Sequence, residues 1–315
     1  MRRIVTAAVW MAATGALGLG LGLWLCGSTS AESETVRYDR ESRYYRIRVV
    51  DYPAENRRCL HFSKSRGIQS SMQLADPTAL DLAYSRSFIA ALPLHPDPKD
   101  VLLVGLGGAS IPKFIAKHWP DVRLDIVELD PDVVTVCQKF FDFRGNPNMR
   151  VIVMDGRMYF KRSPKAYDVI LLDAYAADHV PFHLATREFV ALVRDHLKPG
   201  GVAASNLWEY GINRFYWAEL RTFQTIFPQT YLFRCGMSGN VILFGTTAAN
   251  PVTQATWADR AAALAKGKDL GFDLPALVRE EYSVLTDRRI DEPPLTDNKA
   301  PVGTLRHEHP KTFGK

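Results

Sequence analysis

The chain has 315 residues, 47% of them apolar, a formal charge of +5 at pH 7 and no low-complexity tract. That make-up belongs to an ordinary globular protein of one large or two small domains. Arg2 and Arg3 supply part of the positive charge, and the mildly basic remainder has neither a dense basic run nor an aromatic-studded basic strand, which argues against a nucleic-acid partner.

Residues 1–31 form an apolar N-terminal segment. Positions 4–25 carry no charge, follow Arg2 and Arg3, and are long enough to cross a bilayer as one helix. Thr29, Ser30 and Ala31 ahead of Glu32 also offer the small residues of a signal-peptidase site, so the segment reads either as an uncleaved membrane anchor or as an export signal. Its length, Trp10 and Trp24 favour the anchor, whereas Leu25 before Cys26 is too large for a lipoprotein signal. Basic residues ahead of the span and Glu32 and Glu34 behind it point to a body outside the cytoplasm by the positive-inside rule, and the side of the membrane stays open. Cys59, Cys137 and Cys235 are single and widely spaced, and read as inert thiols.

The body alternates strand and helix. A small β domain with a helix is expected over 36–93, with strands at 44–50 and 58–62 and a helix at 78–91. Pro93, Pro96 and Pro98 read as a linker. A second domain over 99–248 follows with strands at 101–105, 122–128, 149–153, 167–172 and 201–206. Between them lie helix-length segments at 111 onward, 131–140, 156–162 and 186–197, a pattern that implies a parallel sheet covered on both faces. A helix at 214–226 precedes strands 230–234 and 240–244, joined by the glycine-bearing CGMSG turn as an antiparallel hairpin at the sheet edge. The fold class is therefore α/β, a Rossmann-like class I methyltransferase sheet behind a small N-terminal β domain. Residues 249–315 supply a helix at 253–266 and a tail, in which His307 and His309 are too few to make a metal site.

The strand and turn VLLVGLGGAS (101–110) and the following LDIVELD (124–130) carry the first functional signal. An apolar strand that ends in a glycine-rich turn exposes backbone N–H groups at a helix N-terminus, and Glu128 at the end of the next strand can accept two ribose hydroxyls. Glycines after a strand also make plain tight turns, and the acidic strand end is what tips the reading to a nucleoside site. Gly105 and Gly107 are followed by Ser110 where a dinucleotide fingerprint has a third glycine, which disfavours a nicotinamide cofactor.

VLLVGLGGAS, DIVELDPDVV, VMDGRMYF, YDVILLDAYAADHVPFHLATREF and LKPGG together resemble the successive motifs of the spermidine synthase family, the polyamine aminopropyltransferases. The likeness reaches back through SRYYRIRVVD, Gln69 and Tyr84 and covers roughly residues 37–245. It implies a donor nucleoside, decarboxylated S-adenosylmethionine, and a polyamine acceptor such as putrescine, bound where the small β domain meets the Rossmann-like domain, in a homodimer without a metal. The donor-binding residues are then Gln69, Gly105, Gly107, Glu128, Asp155 and Gly156. Asp155 is placed for the adenine amino group, with Gly156 letting the base lie close to the backbone, although Asp-Gly also serves as a helix cap. Asp130 before Pro131 reads as a helix cap. Asp173, closing the strand YDVILL, is the candidate general base: an amine is protonated near neutral pH and needs a carboxylate to hold its ammonium and then take a proton. Tyr84 orients the amine or the base, and Asp178 beside His179 stands where the family carries a second acidic residue, at a longer spacing. Asp297 in PPLTDNKAPV reads as a structural clasp.

One departure matters. The family's Gly-Gly-Gly-Asp-Gly-Gly turn is here Gly105-Leu106-Gly107-Gly108-Ala109-Ser110, with Gly108 at the aspartate that grips the donor's ammonium. Without it, selection for the decarboxylated donor weakens. The alternatives are a methyltransferase that uses intact S-adenosylmethionine and a non-catalytic nucleoside- or polyamine-binding protein.

Overall fold

The computed structural model describes residues 34–62, 67–174 and 181–298. The anchor or signal expected over 1–31, and Asp178 with His179, lie outside them. Among the described residues no helix is long and apolar enough to cross a membrane.

A four-stranded antiparallel sheet comes first, in the order β1 (Thr35–Glu41), β2 (Arg46–Tyr52), β3 (Arg57–Phe62) and β4 (Ser70–Gln73). In β2, Ile47 and Val49 are fully buried while Arg46 and Arg48 stay partly exposed, the alternation of a strand with one face on a core. The expected strand at 44–50 begins two residues late because the Ser42 N–H donates to the Tyr45 carbonyl at 2.7 Å and closes a turn there. β1 and β4 were not expected. The mostly polar TVRYDRE of β1 is held by pairing with β2, reinforced by Arg46 donating to Asp39 at 2.6 Å and by Tyr38 packing on the core beside Phe140.

The expected helix at 78–91 is shorter and divided into α1 (Ala83–Ile89) and α2 (Ala91–Leu94). The chain ahead of it is irregular because Asp76 accepts from the Thr78 N–H and Asp81 takes hydrogen bonds from Ser71 and Gln73 on the small sheet. Pro93 lies inside α2 and is buried.

The second sheet has seven strands: β5 (Asp100–Val104), β6 (Arg123–Glu128), β7 (Met149–Val153), β8 (Tyr167–Leu172), β9 (Leu197–Trp208), β10 (Gln229–Arg234) and β11 (Asn240–Thr246). Their order is β10-β11-β9-β8-β5-β6-β7, parallel from β9 to β7 and antiparallel at β11 and β10. Helices α3 (Ser110–His118), α4 (Pro131–Phe140), α5 (Gly156–Arg162), α6 (Arg187–Asp195) and α7 (Tyr216–Ile226) make the connections. The α/β expectation and the closing hairpin hold. Alternate residues of β5 feed two cores: Val101 and Leu103 join one with Phe114 and Ile126, and Leu102 and Val104 the other with Phe160 and Phe189. The first core also takes Ile47 and Leu60 of the small sheet, and Trp257 of α8 (Gln254–Ala265), whose indole N–H donates to Ala90 at 2.9 Å. α9 (Leu274–Glu281) packs beside α8.

The chain leaves β5 towards β6 on one side while β8 pairs on the other, which opens a crevice at the carboxyl ends of the strands where ligands of such sheets bind. The two ends of the sheet differ in charge. At the amino ends, Asp100 pairs with Arg123 at 2.7 Å and with Lys198 at 2.6 Å, and Asp125 pairs with Lys165 at 2.9 Å. At the carboxyl ends, Glu128 and Asp173 form no ion pair with a lysine or arginine among the described residues.

Candidate active site

The crevice is a cavity of about 380 Å³. It brings together every donor- and base-site residue expected from the sequence within the described regions: Gln69, Tyr84, Gly105, Gly107, Glu128, Asp155, Gly156 and Asp173. The small sheet and α1 supply one wall with Tyr45, Phe62, Gln69 and Tyr84, and the strand ends of the large sheet supply the other. Tyr45 stacks on Phe62 with ring centroids 4.5 Å apart. Burial and the neighbouring Glu128 carboxylate push the Tyr45 hydroxyl up to about 12, so it stays protonated.

Gly105 follows β5 with φ +100, and a Cβ there would lie 2.3 Å from the Asp173 carbonyl oxygen. Only glycine lets the turn pass so close to the end of β8. The Gly105 N–H donates to Val127 and the Asp173 N–H to Val104, each at 2.8 Å, so the turn and the base position are fixed by the same ladder. Gly156 has a packing reason besides the one expected. A Cβ there would meet Val104 Cγ1 at 2.7 Å, so packing of α5 against β5 already requires the glycine before any base approaches.

Glu128 ends β6, and its carboxylate accepts from the Leu106 N–H at 2.8 Å and the Asp130 N–H at 2.9 Å. Burial raises its pKa while those N–H groups offset the rise. The Leu129 N–H also bears on it, and a carboxylate has about four lone-pair sites, so acceptor capacity is left to face the cavity. Asp130 caps α4 by accepting from the Asp132 N–H, as read from the sequence, and also takes the Ser42 hydroxyl of the small sheet. Asp155 caps α5 through the Met158 N–H at 2.9 Å, and its second oxygen meets His183 Nε2, also at 2.9 Å. His183 therefore stands at the edge expected to receive adenine. No motif or spacing in the chain marks it.

Asp173 sits just past β8 at the other end of the cavity. Burial pushes its carboxyl up to about 7, held back by hydrogen bonds from Asn206 and Tyr84. The Asn206 amide donates to Asp173 Oδ1 at 3.0 Å. The Tyr84 hydroxyl lies between Asp173 and the Gln69 carbonyl, which is 3.3 Å away, and burial followed by the Asp173 charge drives its pKa well above 10. Tyr84 is thus a donor and not a base. Asn206, Trp208, Ser238 and Asn240 complete this end, and none of them was anticipated. They lie on β9 and the β10–β11 hairpin and meet only through strand pairing, which leaves no motif in the sequence.

Position 108 has no room for an acidic side chain. Its Cβ would lie 2.6 Å from Ser70 Oγ and 3.2 Å from Phe141 Cδ1. Asp297 does not line the cavity. It accepts from Arg157 at 2.8 Å and from Thr186 at 2.7 Å, a clasp as expected, and the same Arg157 nitrogen donates to the His183 carbonyl at 3.1 Å.

Known proteins share this architecture. Residues 83–233 match the spermine/spermidine synthase domain. A polyamine aminopropyltransferase of Vibrio vulnificus (strain CMCP6) is 32% identical over 287 residues, which cover 88% of this chain and 93% of the relative. A spermidine synthase solved in complex with the transition state analogue AdoDATO superposes with a TM-score of 0.66 at 20% identity, over 79% of this chain and 85% of its own. Human methyltransferase-like protein 13, solved with SAH, gives a TM-score of 0.54 at 28% identity, over 58% of this chain and 90% of its own. The match along almost the whole length of the Vibrio vulnificus relative settles the assignment: the chain belongs to the spermine/spermidine synthase family, the polyamine aminopropyltransferases, and is a transferase by that membership.

Proposed function

We propose that the protein transfers the aminopropyl group of decarboxylated S-adenosylmethionine to a polyamine of the putrescine class, with Asp173 as general base. The observation that carries the reading is the charge of the cavity. Glu128, Asp155 and Asp173 line it, and neither a lysine nor an arginine does among the described residues. Both substrates of such a reaction are cations, a sulfonium with an ammonium arm and a protonated amine. Carboxylates favour them, and Glu128 and Asp173 have no lysine or arginine counter-ion among the described residues.

The residues fit the parts of the donor. Glu128 offers its remaining acceptor capacity to the ribose hydroxyls, Asp155 and His183 bracket the adenine edge, and Gly105 and Gly107 admit the chain beside the backbone. Asp173 binds the acceptor ammonium and takes its proton. The freed amine attacks the methylene next to sulfur, a C–N bond forms, the C–S bond breaks, and its electron pair neutralises the sulfonium as a thioether leaves. A carboxyl near 7 is matched to that proton transfer, and holding both cations in one cavity supplies proximity. Replacing Asp173 with Asn tests the assignment. Transfer should fall by about 100- to 10,000-fold, with donor binding by calorimetry unchanged. A variant that keeps full activity removes Asp173 as the base.

A second reading, methyl transfer from intact S-adenosylmethionine, has one observation in its favour, the absence of an acidic residue at Gly108. It requires a partner for the donor carboxylate, and with neither a lysine nor an arginine in the lining among the described residues that partner would have to be a backbone N–H, a polar side chain or His183. Attachment to or export across a membrane through residues 1–31, and pairing as a homodimer, complete the proposal. Membrane fractionation and sedimentation of the full chain test them.

A further inference from the structure

Three side chains on neighbouring strands form a line that ends at the proposed base. Asn240, the first residue of β11, donates through Nδ2 to Asn206 Oδ1 at 3.0 Å, and Asn206 donates through Nδ2 to Asp173 Oδ1 at 3.0 Å. Both asparagines are almost fully buried, at 7% and 4% exposure. The placement follows from the sheet. β8, β9 and β11 are consecutive in the strand order, Asn206 lies opposite Ile242 in the β9–β11 register, and Asn240 opposite Trp208. The hairpin turn fixes the start of β11, with the Asn240 N–H donating to Ser238 Oγ at 3.3 Å and its carbonyl accepting from the Cys235 N–H at 3.0 Å.

We propose that Asn240 and Asn206 are positioning residues that act in series, Asn240 setting the orientation of the Asn206 amide so that Asn206 turns a donor, and not its carbonyl, towards Asp173. The proposal rests on the reading of Asp173 as the base.

An asparagine side chain presents a donor at one end and an acceptor at the other, and its orientation is decided by its partners. Because Asn206 Oδ1 is engaged by Asn240, its Nδ2 is the group that remains for Asp173. The reverse orientation would set the Asn206 carbonyl against the carboxylate, two acceptors in contact in a buried place, which is costly. A donor stabilises the ionised carboxylate, so the relay opposes the burial that raises Asp173. It also ties down one carboxylate oxygen. From the other elements packed around Asp173, Tyr84 on α1 is the titratable side chain that reaches it among the described residues, and Glu128, Asp155, His183 and Tyr45 line the same cavity further along.

The test measures the Asp173 carboxyl itself by isotope-edited infrared titration of the full chain, assigned by its loss in Asp173→Asn, alongside the pH profile of kcat/KM. Asn206→Leu removes the donor, and Asn240→Asp gives Asn206 a partner that accepts from Nδ2 and so reverses the amide. Each should raise the Asp173 titration by about one unit, with the acid limb of the rate profile moving by the same amount and activity returning at higher pH. Asn240→Ser, which keeps a donor, should titrate as the parent does, and it serves if the other variants unfold early. In an Asn206→Leu background, Asn240→Asp should shift the titration less than it does alone, because only its direct charge then acts. An unchanged Asp173 titration in folded Asn206→Leu, or additive shifts in the double variant, overturns the relay. A titration that shifts while the rate profile does not supports the relay and instead removes Asp173 as the base.

Discussion

Ser70 and Gly108 are complementary: the serine on β4 occupies the volume that the glycine leaves, and its hydroxyl lies 3.3 Å from that of Ser110 at the start of α3. The missing acidic side chain in the turn is therefore matched by a residue from the small sheet. Gly108→Asp alone should destabilise the fold by about 1–3 kcal/mol through overpacking. Combining it with Ser70→Gly should recover most of that loss and strengthen the preference for a donor with an ammonium over one with a carboxylate. Thermal unfolding and donor titration of the single and double variants check both parts.

Activity should depend on pH through Asp173. The group must be ionised to accept a proton, and its carboxyl in the free enzyme stands at about 7. Below that, kcat/KM should fall by about tenfold per pH unit. A profile flat from pH 5 to 8 would contradict the assignment.

A second buried carboxyl makes stability depend on pH. Glu219 on α7 is 6% exposed, accepts from the Asn213 amide at 2.9 Å, and is raised by burial to about 7. Its folded pKa lies above the unfolded value of about 4.3, so the folded state holds the proton more tightly. Its stabilising contribution is complete below the unfolded pKa and is lost as pH rises through about 7. Denaturant unfolding should therefore show falling stability between pH 4.5 and 7, by up to ~3 kcal/mol from this group, and Glu219→Gln should lessen that slope, leaving the part that Asp173 contributes.

The tail reaches the donor end through a chain of contacts: Asp297 holds Arg157, Arg157 holds the His183 carbonyl, and the His183 ring meets Asp155. Asp297→Ala should destabilise the protein by no more than ~1 kcal/mol, since the ion pair is partly exposed. Loosening of His183 should weaken donor binding by roughly 3- to 10-fold with kcat little altered. Equal loss in KM and kcat would point instead to a general structural defect.

The parallel strands were legible because each is a short apolar run ending at a turn, and the residues at their ends, Glu128, Asp155 and Asp173, follow from that placement. β1 and β4 were not, because the first is mostly polar with Val36 and Tyr38 as its apolar residues and the second is four residues long, and both depend on pairing. Ser70, His183, Asn206 and Asn240 escaped for a related reason. Each acts through a partner distant in the chain, Gly108, Asp155, Asp173 and Asn206 respectively, so no local spacing marks it.

The most direct test of the central claim incubates the full chain with putrescine or spermidine and with either decarboxylated or intact S-adenosylmethionine, and reads products by mass spectrometry. An aminopropylated amine formed only with the decarboxylated donor is the result expected. A methylated product from the intact donor, or no product with either, would contradict it.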